Sequence, residues 1–214
     1  MGLSLDRRHF NAAAGALTLG VALSAWAKPK GPILVVGDSL SAEYGLKRGS
    51  GWVALMELRL RQQGKSIPVV NASISGDTTS GGLSRLPALL AQHQPQLVVI
   101  ELGGNDALRG LPLKTSKDNM LAMVQACQDA KAKVLLLGMQ MPPNYGPEYS
   151  AKFVALYAEV AKSKGTGLVP FFLKGVADVP QSDTLFQSDR IHPLEAAHPI
   201  LLNNVWPALS KLIA

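Results

Sequence analysis

The sequence is short of several things, and each scarcity removes a class of protein. A single cysteine, Cys127, stands among 214 residues, so no intramolecular disulfide can form and no cysteine cluster can hold a metal. Only four histidines are present, with no HExxH or CxxC spacing, so a metal site is poorly supported. Charged residues make up 17% of the chain and the formal net charge is +6. Lys and Arg are scattered rather than gathered in runs, which describes a solvated surface better than a nucleic-acid site. Aromatics are 6% of the chain, and none interleave with basic residues as a base-stacking platform requires. After residue 27 no apolar run is long enough to span a bilayer, so no integral membrane segment is expected there.

What is present is a globular composition. Hydrophobic residues make up 47% of the chain, which at this length suits one domain with a sizeable core. No repeat, low-complexity tract or linker follows residue 31. Residues 1–27 stand apart. Arg7 and Arg8 precede a mildly apolar Ala/Gly/Leu segment ending in Ala25-Trp26-Ala27, an A-x-A cleavage pattern. The alternative, a first core helix, fits poorly, because the apolar residues run all round and Lys28-Pro29-Lys30 cut the segment off. The expectation is a twin-arginine-like export signal at 1–27, removed near Ala27, and one domain at 28–214. Asp6 and Asn11 depart from that signal's usual surroundings, so the export route stays open.

The remaining chain alternates strand-like and helix-like stretches. PILVVGD, SIPVVNAS, QLVVIELG, KVLLLGM and GLVPFF read as strands. Continuous apolar runs of this kind are expected of strands buried on both faces. GWVALMELRLRQQG, GLSRLPALLAQH, KDNMLAMVQACQDA, EYSAKFVALYAEVAKSKG and AAHPILLNNVWPALSKLI carry helical spacing between them. Met120, Met123, Val124 and Cys127 share one helical face, which makes Cys127 a buried apolar residue rather than a reactive thiol. The alternation predicts one doubly wound α/β domain with a parallel sheet, whose ligands bind beyond the carboxyl ends of the strands.

Four polar blocks fall at those positions: Gly37-Asp38-Ser39-Leu40, Ser73-Ile74-Ser75-Gly76-Asp77, Gly103-Gly104-Asn105-Asp106 and Asp189-Arg190-Ile191-His192-Pro193. Each alone has a plain structural explanation as a helix cap, a turn or a loop. Together they supply what acyl transfer needs. Ser39 offers a hydroxyl. His192 offers an imidazole that can serve as base near neutral pH. Asp189, three residues earlier, can hold the imidazole Nδ1 proton. The amides of Ser39 and Gly76 and the Asn105 carboxamide can converge on an oxyanion. The G-x-S-x-G elbow is absent. Ser41 and Ser75 read as turn or capping hydroxyls, Glu43 as an exposed helix residue, His93 as a helix-end residue and Asp38 as loop scaffold.

In this order the blocks resemble the SGNH, or GDSL, hydrolases, whose four naming residues match Ser39, Gly76, Asn105 and His192. GDSLSAEYGL, NASISGDTTSGGLSRLPALL, QPQLVVIELGGNDALRGLP, MPPNYGPEY and DRIHP resemble the periplasmic thioesterase/lysophospholipase/arylesterase branch. The resemblance implies a flavodoxin-like three-layer α/β/α fold with a five-stranded parallel sheet, and no metal or organic cofactor. It implies Ser39 as nucleophile, His192 as base and then acid, and Asp189 as its orienting carboxylate. Ser39, Gly76 and Asn105 would form the oxyanion hole. The partners would be small acyl esters or thioesters, and the location periplasmic or secreted. In the substrate pocket, Leu108 and Leu111 are candidate apolar contacts. Gln140 and Met141 stand where the branch implies a basic residue and Leu, so Met141 is a further candidate lining residue. Two other readings compete: a carbohydrate acetylesterase of the same fold and a non-catalytic periplasmic binding domain.

Overall fold

The first strand, β1 (Ile33–Gly37), is buried along its whole length, and so is β3 (Leu97–Glu101). Only a sheet covered on both faces buries consecutive residues in this way. In the computed structural model, which describes residues 31–214, these two strands lie side by side at the centre of five. β2 (Val69–Asn71), β4 (Lys133–Leu137) and β5 (Gly167–Val169) complete the sheet. The order is β2-β1-β3-β4-β5, with every neighbouring pair parallel. The expected export signal lies outside the described residues.

Helices cover both faces. α1 (Trp52–Gln62) and α6 (His198–Leu212) pack together on one side. On the other, α2 (Thr79–His93), α4 (Leu113–Asp129) and α5 (Pro147–Lys164) pack in succession. This is the three-layer α/β/α arrangement. The core runs continuously through it, from Ile33, Leu34, Ile100 and Leu135 in the sheet to Trp52, Met120 and Phe153 on the helices. Full burial of one such side chain contributes about 1.5–3 kcal/mol. Cys127 is wholly buried in α4, and burial pushes its thiol up to about 12, so it stays protonated and inert.

The differences from the sequence reading are local. GLVPFF pairs only over Gly167–Val169, because Pro170 has no N–H to give a ladder. α2 begins three residues before the expected Gly82, where the Thr78 side chain accepts the Gly81 N–H as a cap. α4 begins at Leu113 rather than Lys117, directly after Pro112. GGND is not a simple turn but the start of a short helix, α3 (Gly104–Leu108).

In this strand order β1 has β2 on one side and β3 on the other. The chain leaves the two central strands toward opposite faces, which opens a crevice beyond their carboxyl ends. Gly37 and Glu101 face each other at that edge.

Candidate active site

Ser39 sits two residues beyond β1, in a tight turn where Ser41 and Ala42 donate to the Asp38 carbonyl at 3.2 and 2.9 Å. Its hydroxyl lies 2.8 Å from His192 Nε2, and His192 Nδ1 lies 2.7 Å from Asp189 Oδ2. The other oxygen of Asp189 accepts the backbone N–H groups of Ile191 and His192, both at 3.0 Å. The His192 bond comes first among the influences that draw the Asp189 carboxyl down to about 2. An ionised Asp189 requires the proton on Nδ1, which leaves Nε2 free to accept from Ser39.

The imidazole is also held by packing. The Tyr44 ring lies against it at 4.3 Å between centroids. Gln187 secures that contact: its side-chain amide donates to the Tyr44 carbonyl at 2.9 Å and to the Pro193 carbonyl at 3.3 Å. The turn carrying Asp189 and His192 is closed by an antiparallel bridge between Phe186 and Pro193 and by a 2.8 Å bond from Gln187 N–H to the His192 carbonyl.

Asn105 is the second residue of α3, and its side-chain amide donates to Asp38 Oδ2 at 2.9 Å. Its neighbour Asp106 anchors the helix. The buried Asp106 carboxylate accepts from the Thr79 N–H at 2.9 Å and the Ser116 hydroxyl at 3.0 Å, tying α3 to α2 and α4. Gly76 has φ +77, a backbone region open to glycine. Arg109 bridges the second and third blocks, donating from Nη2 to the Gly76 carbonyl at 2.8 Å. Arg85 fixes the same loop through Asp77 at 2.8 Å and through the Ala72 carbonyl. Among the described residues, the backbone N–H groups of Ser39 and Gly76 donate to no partner.

A cavity of about 550 Å³ opens beside these groups. Ser39, Asn105 and His192 line it at one end, and Leu108, Met139, Met141, Phe171, Leu173 and Ile191 supply apolar wall. Leu108 and Met141 line this cavity, with Gln140 next to Met141. Leu111 does not line the cavity; it follows the end of α3 and is exposed on the surface. The helix adds a turn to the Asn105 loop and carries Leu111 past the wall.

Two further expectations are corrected. Ser41 is neither a turn nor a capping hydroxyl. It is buried, donates to Glu101 Oε2 at 2.8 Å and accepts from Trp52 Nε1 at 3.1 Å. Glu43 is not on a helix. It has φ 60 in a turn, and its carboxylate accepts the N–H groups of Gly49 and Gly51 at 2.9 to 3.1 Å, closing the loop that leads into α1. His198 is not among the residues that line the cavity. It is buried and held neutral, its pKa lowered first by desolvation, and its Nδ1 accepts the Trp52 N–H at 3.0 Å at the start of α1.

The sequence reading missed Tyr44, Arg85, Glu101, Asp106 and Gln187. One signal was available: Glu101 is the only charge in an otherwise apolar central strand. The others act through contacts between segments far apart in sequence, which no spacing rule exposes.

A hydroxyl, an imidazole and a carboxylate in one hydrogen-bonded line, at the switch point of a doubly wound sheet, define the class as serine-type hydrolases. Comparison with known proteins narrows the class. The GDSL-like Lipase/Acylhydrolase family matches residues 35–200, and the chain belongs to that family. It is 55% identical over 181 residues to Esterase TesA of Pseudomonas aeruginosa, covering 85% of this chain and 89% of that protein. It is 42% identical over 181 residues to Thioesterase 1/protease 1/lysophospholipase L1 of Escherichia coli K12, covering 85% and 84%. A crystal structure of TesA superposes with a TM-score of 0.81 at 55% identity, covering 85% of this chain and 99% of that one.

Proposed function

We propose that the protein is a serine esterase that hydrolyses carboxylic esters, thioesters among them, through an acyl-Ser39 intermediate. The observation that carries this reading is the unbroken line from Asp189 Oδ2 through His192 to the Ser39 hydroxyl, with contacts of 2.7 and 2.8 Å. The names of the relatives, an esterase and a thioesterase/lysophospholipase, support it.

The steps follow from the groups present. His192 Nε2 takes the Ser39 proton as the oxygen attacks the acyl carbon. Asp189 keeps the resulting imidazolium in place. The negative charge moves to the former carbonyl oxygen. The Ser39 and Gly76 N–H groups, which lack partners among the described residues, and the second N–H of Asn105 are the donors for it. His192 then protonates the leaving alcohol, phenol or thiol. Water repeats the sequence on the acyl-serine and releases the acid. The apolar wall with Met139 and Met141 suits an acyl chain, and flexible Met side chains adapt to chains of different length. The names of the relatives favour this reading over a carbohydrate acetylesterase of the same fold. The expected export signal at 1–27 supports action in the periplasm or outside the cell. No helix among the described residues is long and apolar enough to cross a membrane.

A fluorophosphonate probe tests the reading. The expected result is one adduct on the peptide containing Ser39, abolished in Ser39→Ala. Absence of labelling in the folded protein would leave a binding domain as the better account.

A further inference from the structure

At the floor of the cavity, at the facing ends of β1 and β3, two buried carboxyl groups meet. Asp38 is 3% exposed and Glu101 is 1% exposed, and the Asp38 N–H lies 3.4 Å from Glu101 Oε2, which brings the two carboxyl groups close together. Among the described residues, no Lys or Arg hydrogen-bonds or ion-pairs with either group. Two carboxylates in such contact cannot both be ionised, so the pair holds a proton between them.

The neighbours decide which group holds it. Asp38 accepts on both oxygens: from the Leu40 N–H at 3.0 Å on Oδ1 and from Asn105 Nδ2 at 2.9 Å on Oδ2. Both partners can only donate there, which favours the carboxylate form of Asp38. Glu101 accepts on Oε2 from the Ser41 hydroxyl at 2.8 Å, with the Asp38 N–H more distant at 3.4 Å. The Ser41 hydroxyl has one direction available, because the Trp52 indole N–H at 3.1 Å can only donate to it. Glu101 therefore has one well-formed acceptor contact on one oxygen. Gly37 makes the approach possible: a Cβ there would stand 2.9 Å from Glu101 Oε2 and 2.8 Å from Ser41 Oγ.

We infer that Glu101 is a positioning residue for the acyl-transfer reaction, held as a neutral carboxylic acid that donates its proton to the Asp38 carboxylate. Asp38 in turn fixes one N–H of Asn105, so that the other is aimed at the developing oxyanion. The chain of donors runs Trp52 to Ser41 to Glu101 to Asp38, and Asn105 meets it at Asp38. Burial raises both acids, Asp38 to about 6 and Glu101 well above the ordinary range, which agrees with a neutral Glu101 beside an ionised Asp38 at neutral pH.

This role rests on the reading of Asn105 as an oxyanion donor, and the test separates the two. Difference infrared spectra of the full chain at neutral pH, wild type minus Glu101→Gln, should contain the carbonyl stretch of one neutral carboxylic acid. That readout does not depend on activity. Glutamine can donate an N–H to Asp38 and accept from Ser41, so Glu101→Gln should keep kcat on a p-nitrophenyl ester within about threefold. Glu101→Leu should lower kcat about tenfold or more with KM little changed, a fraction of what removing an oxyanion donor costs. Where Glu101→Leu does not fold, Glu101→Gln and the spectrum carry the test. Absence of the neutral-acid band, its persistence in Glu101→Gln, or a large loss of kcat in folded Glu101→Gln would each overturn the proposal. Absence of any turnover in a wild-type protein that shows the band would instead refute the esterase reading.

Discussion

Ser39 is flanked by Asp38 and Ser41, which are 3% and 1% exposed, whereas Asp189, at the opposite end of the same line of groups, leaves 36% of its side chain in solvent. The nucleophile rises from a strand buried on both faces and stands over a network of buried polar groups. The base and its carboxylate belong to the stretch between β5 and α6, which has two short 3-10 turns and one isolated bridge. Its order comes from short-range hydrogen bonds, from Tyr44 against the imidazole and from Gln187 tying the two loops together. The half that must be stationary is built into the core. The half that must trade protons with leaving groups and water sits where solvent reaches it.

Substitutions in the two halves should separate these roles. The largest effect is expected at the base: His192→Ala should lower kcat by about ten-thousand-fold or more, and adding Ser39→Ala should cost little further, because the groups act as one unit. Steady-state kinetics of the single and double variants checks this, and additive losses would mean that the two act separately. Asp189→Asn should follow, with a loss of about a thousandfold or more in kcat, since the amide cannot hold the Nδ1 proton in the same way.

Asp189 also carries a pH signature. Its folded pKa, about 2, lies below the ordinary value of about 4. Its contribution to stability is therefore present above about pH 4 and is lost as pH falls from there toward 2. The melting temperature of the wild type should exceed that of Asp189→Asn near neutrality, with the gap closing across that interval. The exposure of the group keeps the gap small. The smallest effect is expected at Gln187→Ala, which loosens Tyr44 and the His192 turn. It should lower kcat a few-fold and stability by about 1 kcal/mol.

The same contrast explains what could be read from the sequence. The five strands were legible because buried parallel strands leave uninterrupted apolar runs, and the first three polar blocks were legible because they end those runs; the fourth, at 189–193, lies well past the end of β5 at Val169. Asp189 and His192 were legible because they stand three positions apart, close enough to meet along one turn. The buried half was harder. Ser41 looked like a turn hydroxyl because its partners, Glu101 and Trp52, come 60 and 11 residues later in the chain. α3 was not legible because the two glycines of GGND suit a turn equally well, while the Asp106 carboxylate that stabilises the helix acts through Thr79 and Ser116. Leu111 was placed in the pocket by resemblance, as part of the loop after Asn105, but it lies past the end of α3 and outside the cavity lining.

The central claim is that Ser39 attacks the acyl carbon, and one measurement addresses it most directly. Wild type and Ser39→Ala are assayed side by side on p-nitrophenyl esters and acyl thioesters graded by chain length, after circular dichroism shows both folded. The account predicts turnover by the wild type and a loss of about ten-thousand-fold or more in the variant on every substrate. Undiminished turnover by folded Ser39→Ala would contradict it.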